Sequence, residues 1–74
     1  MIYPNIEAER ARLGMTKTLF AHKLGVSTKT YYNWIDGINP IPSTYLIKMS
    51  DISNKPIDYL LGLQKKEVVY QEVK

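Results

Sequence analysis

Apolar residues recur along most of the chain at the spacing that places them on one face of an α-helix. Glycines, prolines and short polar residues interrupt this pattern at short intervals, so each helical piece is brief. The pattern predicts helices over residues 6–13, 17–24, 28–36, 43–52 and 57–61. In the fourth helix, the residues spaced for the core are Tyr45, Leu46, Met49 and Ile52. The predicted fold class is therefore all-α, a compact five-helix bundle.

Residues at the helix ends support these boundaries. Asn5, Thr16 and Ser27 each stand just before a predicted helix, where their side chains can accept a hydrogen bond from the first turn. Gly25, after the second helix, can take a positive φ without a steric penalty. The two prolines within residues 38–42 prevent that loop from continuing the third helix.

The chain after Gly62 has a different composition. Residues 64–67 are polar, and residues 68–73 are rich in β-branched and aromatic side chains. Such a segment can form a strand that pairs with a second subunit, but a lone terminal strand is marginal in water and equally fits a frayed tail. We therefore predict a domain over residues 1–62 and a tail over residues 63–74 that is either a dimerisation strand or disordered.

Length and composition limit what this domain can do. With 74 residues it is shorter than the ~100 to 150 residues of a typical domain, so a buried cofactor pocket is not expected. The absence of cysteine excludes disulfides, thiolate metal ligands and thiol nucleophiles. No apolar run reaches the ~18 residues of a membrane span, and the N-terminus does not have the pattern of a signal peptide. We expect a cytoplasmic protein with no cofactor, no membrane association and no small-molecule substrate.

The net charge of +3 is concentrated in the middle of the chain. Residues 1–9 carry two glutamates and no base, residues 10–50 carry six bases against Asp36 alone, and residues 51–74 carry four bases and four acids. The central stretch thus has a net charge of +5. This excess favours a polyanionic partner, with nucleic acid first and an anionic membrane surface second, although a solvated basic surface has the same composition.

Residues 17–34 contain the most informative pattern. Ala21 is small where the next helix must cross closely, and Gly25 lets the chain turn directly after the second helix. Apolar residues before and after this turn can fill the corner between the two helices. The arrangement is that of a helix-turn-helix motif, whose core we assign to Phe20, Ala21, Leu24, Gly25, Val26, Tyr31 and Trp34.

The third helix has two different faces when its residues are projected at about 3.6 per turn. An apolar stripe faces inward, and hydroxyl, cationic, aromatic and amide side chains face outward together with Asp36. The outward set suits base edges in the DNA major groove, and the candidate base contacts are Thr28, Lys29, Tyr32 and Asn33. An ordinary solvated helix has a similar outer face, but an exposed Tyr32 is unusual for solubility alone.

Residues 5–62 resemble the Cro/repressor-type (Xre-like) helix-turn-helix domain of phage and bacterial transcriptional regulators. The resemblance rests on ordered blocks, which are Asn5-Ile6, Ala8-Glu9-Arg10-Ala11-Arg12, Gly14-Met15-Thr16, Phe20-Ala21, Lys23-Leu24-Gly25-Val26-Ser27, Asn33-Trp34, Gly37, Pro42-Ser43 and Asp58-Tyr59-Leu60-Leu61-Gly62. It covers about three quarters of the chain. It implies a lambda-repressor-like domain of five helices that binds a palindromic or pseudo-palindromic operator as a two-fold dimer.

The resemblance also implies roles for individual residues. The four outward residues of the third helix match positions that contact base edges. The residues that match contacts to the DNA backbone are Arg10, Thr16, Lys17, Ile38 and Asn39.

Three positions depart from the family pattern. The acidic partner expected for Arg10 near the end of the third helix is missing, so Arg10 must pair with another group, such as Asp36, or contact phosphate alone. Tyr31 stands where isoleucine or valine is usual, which could shift the helix in its seat. Glu9 is charged on the apolar side of the first helix, and Arg12, three residues on, is its nearest candidate partner.

Catalytic alternatives find little support. His22 is the only histidine, and one histidine without cysteine cannot build the usual three-ligand zinc site from the likeliest zinc ligands. Asp51 and Asp58 are separated by a helix break, and the chain has no glycine-rich phosphate loop. We expect His22 to be a solvated residue and the protein not to be an enzyme.

The expected function is sequence-specific binding of double-stranded DNA by a homodimeric transcriptional regulator, a repressor or Cro-like factor. Residues 28–36 would enter the major groove, in the cytoplasm of a bacterial or phage-infected cell and in association with its nucleoid. Two alternatives stay open. One is a protein-binding module of antirepressor or antitoxin type that presents Tyr31, Tyr32 and Trp34 to another protein. The other is the N-terminal domain of a longer repressor.

Overall fold

The computed structural model describes residues 2–63 and contains five helices in that range. Their bounds are α1 (Pro4–Arg12), α2 (Lys17–Leu24), α3 (Thr28–Ile35), α4 (Ser43–Ser53) and α5 (Ile57–Leu61). Because these residues include no strand, the predicted all-α fold of five helices is confirmed. The strand considered for residues 68–73 lies outside the described range. Between residues 2 and 63, no helix has both the length and the apolar character needed to cross a bilayer.

Side-chain caps begin the two helices of the motif. Thr16 Oγ1 accepts a hydrogen bond from the Leu19 N–H at 3.0 Å, and Ser27 Oγ accepts one from the Thr30 N–H at 3.1 Å. Each bond satisfies an N–H group that has no partner within its own helix. The caps predicted for α2 and α3 are thus confirmed.

Helix α1 begins earlier than the sequence pattern predicts. Pro4 starts it, because the φ angle of proline already suits the first position of a helix and its missing N–H is not needed there. Asn5 therefore lies inside the first turn, and the prediction that it caps the helix is wrong. Its side-chain amide instead donates to the Tyr59 carbonyl at 2.7 Å, a tertiary contact that ties α1 to α5.

One apolar core joins the helices. Its buried members are Ile6, Phe20, Ala21, Leu24, Tyr31, Trp34, Ile35, Met49 and Leu60. The prediction for α4 is confirmed, since Met49 is fully buried while Tyr45, Leu46 and Ile52 pack against the core at partial exposure. Helix α4 lies against α1, α2 and α5, so it supports the motif from behind.

The turn between α2 and α3 is built from one glycine and a small set of contacts. Gly25 has a φ of 86°, in the left-handed region, and the Val26 N–H donates to the Ala21 carbonyl at 3.0 Å. Across the turn, the Phe20 and Tyr31 rings meet edge to face with 5.5 Å between their centroids. These contacts form the predicted helix-turn-helix.

Candidate nucleic-acid interface

Helix α3 presents its predicted polar face to solvent. Lys29 and Tyr32 are exposed, with Tyr32 at 42%, and Thr28 and Asn33 are half-buried. The opposite stripe of this helix lies in the core. The structure therefore brings the predicted base contacts together on the outward face of one rigidly packed helix.

The first turn of α2 lies beside this face. The hydroxyl oxygens of Thr18 and Thr28 are 3.5 Å apart, and Lys17 Nζ lies 5.9 Å from the centroid of the Tyr32 ring, within the range of a cation–π contact. Thr16 and Lys17 thus adjoin α3. A helix N-terminus favours an anionic group such as a phosphate, and a lysine at its first position strengthens that preference.

The loop after α3 is exposed, but its main-chain donors are engaged. Ile38 and Asn39 both face solvent. Their N–H groups donate to the Asn33 carbonyl at 2.8 Å and 3.2 Å, which closes the end of α3. A hydrogen bond from this loop to a phosphate would therefore come from the side-chain amide of Asn39, and Ile38 would contact the DNA backbone only through its apolar side chain.

A buried carboxylate lies directly behind this surface. Glu7 of α1 is 7% exposed and forms ion pairs with Arg10 Nη2 at 3.0 Å and Lys17 Nζ at 3.3 Å. Both ion pairs involve Glu7 Oε1, and the Tyr31 hydroxyl donates a hydrogen bond to Glu7 Oε2. Arg10 also donates to the Met15 carbonyl at 2.5 Å. These four side chains, here named the Glu7 cluster (Glu7, Arg10, Lys17 and Tyr31), connect α1, α2 and α3.

The surroundings of Glu7 favour its charged form. Burial raises the pKa of this carboxyl, but the hydrogen bonds from Arg10, Tyr31 and Lys17 outweigh burial and lower the pKa below its ordinary value of 4.5. The hydrogen bond to Glu7 raises the pKa of Arg10. Burial, together with the bond to Glu7, raises the pKa of Tyr31 far above its ordinary value. At neutral pH the cluster therefore holds a carboxylate and a neutral phenol.

Arg10 pairs with Glu7 in the described residues, and not with Asp36 as the sequence suggested. Glu7 precedes it by three residues on α1, and the paired Arg10 side chain is only 16% exposed. A contact of Arg10 to a DNA phosphate would have to compete with these internal bonds. The expected partner of Glu9 is confirmed, since Arg12 Nε lies 2.6 Å from Glu9 Oε1.

Three residues that the sequence did not single out shape this surface. Glu7 stands three residues before Arg10, and this spacing was a usable signal for an ion pair. Thr18 contacts α3, and Lys48 Nζ lies 3.4 Å from the Leu24 carbonyl at the end of α2. Both are tertiary contacts between helices, for which the sequence offers no local signal.

The structure also bears on the alternatives to a DNA-binding surface. His22 is exposed on α2, as expected for a solvated residue. Among residues 2–63, no group of three or more His, Cys, Asp or Glu side chains is placed to hold a metal ion. Tyr31 and Trp34, which the protein-binding alternative would present to a partner, are buried in the core. Of that set only Tyr32 is available at the surface.

Comparison with known proteins identifies the family. The family model described as helix-turn-helix matches residues 6–60, which include all of α2, α3 and α4 and most of α1 and α5. The comparison with curated proteins gives no match. The matched segment contains the caps, the turn and the outward face described above. The chain therefore belongs to the Xre/lambda-repressor-like helix-turn-helix family of DNA-binding transcription regulators.

Proposed function

We propose that this protein is a repressor or Cro-like factor that binds a palindromic operator as a homodimer, with α3 of each subunit in the major groove. It acts by occupying the operator, without chemistry, at the nucleoid in the cytoplasm of a bacterial or phage-infected cell. Membership in a DNA-binding family supports double-stranded DNA as the partner. The finer role rests on the surface around α3.

The outward face of α3 is the observation that carries this proposal. Thr28, Lys29, Tyr32 and Asn33 combine a hydroxyl, a cation, an aromatic ring and an amide on one side of a short helix. Asn33 can bond adenine in bidentate fashion, and Lys29 can reach guanine acceptors or a phosphate. Thr28 or Tyr32 can contact a thymine methyl group. These are the side-chain chemistries that distinguish base pairs in the major groove.

Contacts to the DNA backbone would flank this face and set the orientation of α3 on the duplex. Lys17 is better placed for a phosphate than Arg10, because its side chain is 34% exposed and lies beside Tyr32. Arg10 is largely enclosed in the Glu7 cluster. The residues proposed for backbone contact are Arg10, Thr16, Lys17, Ile38 and Asn39.

Fluorescence anisotropy of a labelled duplex in rising salt tests the proposal. If each subunit makes about three to five cationic contacts to phosphates, a dimer gives a slope of log K against log salt concentration of about −5 to −9. A flat salt dependence, or no binding to a pool of random duplexes, would contradict DNA binding by this chain.

A further inference from the structure

We propose that Glu7 is a positioning residue for the DNA interface, because its carboxylate holds α3 against α1 through Tyr31 and fixes Lys17 beside Tyr32. The inference rests on the proposed function and adds a residue that would not itself touch DNA. Glu7 lies on the inner side of α1, behind the surface that α2 and α3 present.

The first link runs through Tyr31. This residue is fully buried on the inner face of α3, and its hydroxyl donates to Glu7 Oε2. The next residue in the chain, Tyr32, is exposed on the outer face and is one of the proposed base contacts. A base-reading side chain is held in place by the packing and hydrogen bonds of the residues behind it. A change at Glu7 should therefore displace the outer face of α3 as well.

The second link runs through Lys17. Its ammonium nitrogen lies 3.3 Å from Glu7 Oε1 and 5.9 Å from the centroid of the Tyr32 ring. An ammonium group has three N–H donors, so the pair with Glu7 leaves donors for a phosphate. Arg10 makes three further contacts to the same carboxylate at 3.0 to 3.2 Å. Because Arg10 neutralises much of the carboxylate charge, Lys17 keeps its attraction for DNA.

A second cluster of the same chemistry on α1 provides a matched control. Glu9 is 5% exposed, pairs with Arg12 three residues on, and accepts a hydrogen bond from the Tyr59 hydroxyl at 3.0 Å. Its tyrosine lies in the middle of α5 and not on α3. Substitutions at Glu9 and Tyr59 therefore remove the same charge and the same kind of hydrogen bond as substitutions at Glu7 and Tyr31. They do so on the side of α1 that packs against α5.

The test compares DNA selectivity, which is the Kd for random duplex divided by the Kd for a duplex enriched from a random library. Glu7→Gln and Tyr31→Phe should each lower selectivity by about two- to tenfold, a size typical of coupling within one hydrogen-bond network. The double variant should lose less than the two single variants added together, because Glu7→Gln already weakens the hydrogen bond that Tyr31→Phe removes. Glu9→Gln and Tyr59→Phe should leave selectivity unchanged.

Several outcomes would overturn the inference. A purely structural role for Glu7 predicts a lower melting temperature with unchanged selectivity. Equal losses of selectivity in the Glu7 and Glu9 variants would show a general effect of charge. If Glu7→Gln does not fold, Tyr31→Phe decides the question, because it retains the buried ring and removes only the hydroxyl. Absence of duplex binding by the unaltered chain would overturn the proposed function and this inference with it.

Discussion

At the scale of single residues, the burial of Tyr31 explains the charges gathered around Glu7. A buried hydroxyl without a partner and a buried carboxylate without compensating charge are both unfavourable. Here the hydroxyl donates to the carboxylate, and Arg10 and Lys17 supply positive charge. Tyr31 stands where similar domains have an aliphatic residue. The carboxylate of Glu7 on α1 provides the hydrogen-bond partner that its buried hydroxyl requires.

The lowered pKa of Glu7 predicts that the fold is sensitive to acid. Since this pKa lies below the ordinary value of 4.5, the carboxylate stabilises the folded state above that value, and the contribution is lost as pH falls through the lowered pKa. Between neutral pH and about pH 3, Tm should therefore fall less in Glu7→Gln than in the unaltered chain. An equal loss of Tm in the two proteins would contradict this role of the carboxylate.

Two substitutions separate base contacts from backbone contacts. Asn33→Ala should lose about 1 to 3 kcal/mol of discrimination at particular base pairs, because a bidentate bond to a base is removed. Lys17→Ala should weaken binding to all sequences alike and make the salt slope shallower by about 1 for each subunit. Anisotropy with selected and random duplexes measures both effects. Equal losses on both duplexes for both variants would refute the assigned roles.

At the scale of the helices, α3 is fixed at its start and at its end. Ser27 caps the start, and Gly25 provides the turn that precedes it. At the other end, the Ile2 N–H donates to the Ile35 carbonyl at 2.8 Å, so the segment before α1 also holds the helix. The outward face of α3 thus has a defined position before any DNA is bound.

The turn between α2 and α3 predicts how substitutions of Gly25 rank by the stability of the folded protein. Gly25→Ala should destabilise the protein by about 1 to 2 kcal/mol, because a residue with a Cβ is strained at a φ of 86°. A methyl group there would meet Lys48 Nζ at an ordinary contact of 3.9 Å, so the backbone dominates the loss. Gly25→Asn should lose less, since asparagine adopts this conformation more readily. Urea unfolding measures the order, and an alanine variant as stable as the unaltered chain would contradict it.

The sequence predicted most reliably those features that depend on residues close together in the chain. The helix-turn-helix could be predicted because Thr16, Ser27 and Gly25 act on residues within one turn of the chain. The start of α1 was missed because the side chain of Asn5 is used by α5, which is distant in sequence. The misassigned partner of Arg10 is an exception, because Glu7 stands three residues before it on α1, at the local spacing of a helical ion pair.

At the scale of the whole molecule, the charge available to DNA is smaller than the sequence count. The two glutamates of residues 1–9 pair with Arg10 and Arg12, so the acidic start of the chain neutralises part of the basic middle. The other basic residues of the central stretch are Lys17, Lys23, Lys29 and Lys48. Because some of these bases are paired, fewer than the six bases of residues 10–50 are available to phosphates, so the expected salt slope is shallower than six contacts for each subunit would give.

The proposed homodimer predicts two chains bound to each operator duplex. Light scattering of the complex measures this ratio, and one chain per duplex would contradict the dimer. Removal of residues 63–74 then assigns the contact between subunits. Loss of the two-to-one complex assigns it to the tail, whereas retention assigns it to the five-helix domain, where Ile47 of α4 is exposed.

Selection of bound sequences from a random duplex library tests the central claim most directly, which is that two copies of α3 bind a two-fold operator. The account predicts an enriched inverted repeat whose half-sites lie about one helical turn apart, roughly 10 base pairs centre to centre. In the same selection, the Asn33→Ala variant should lose the base preference of the unaltered chain at one position, and this position should be the same in both half-sites. Enrichment of no motif, or of one unrepeated half-site, would contradict the account.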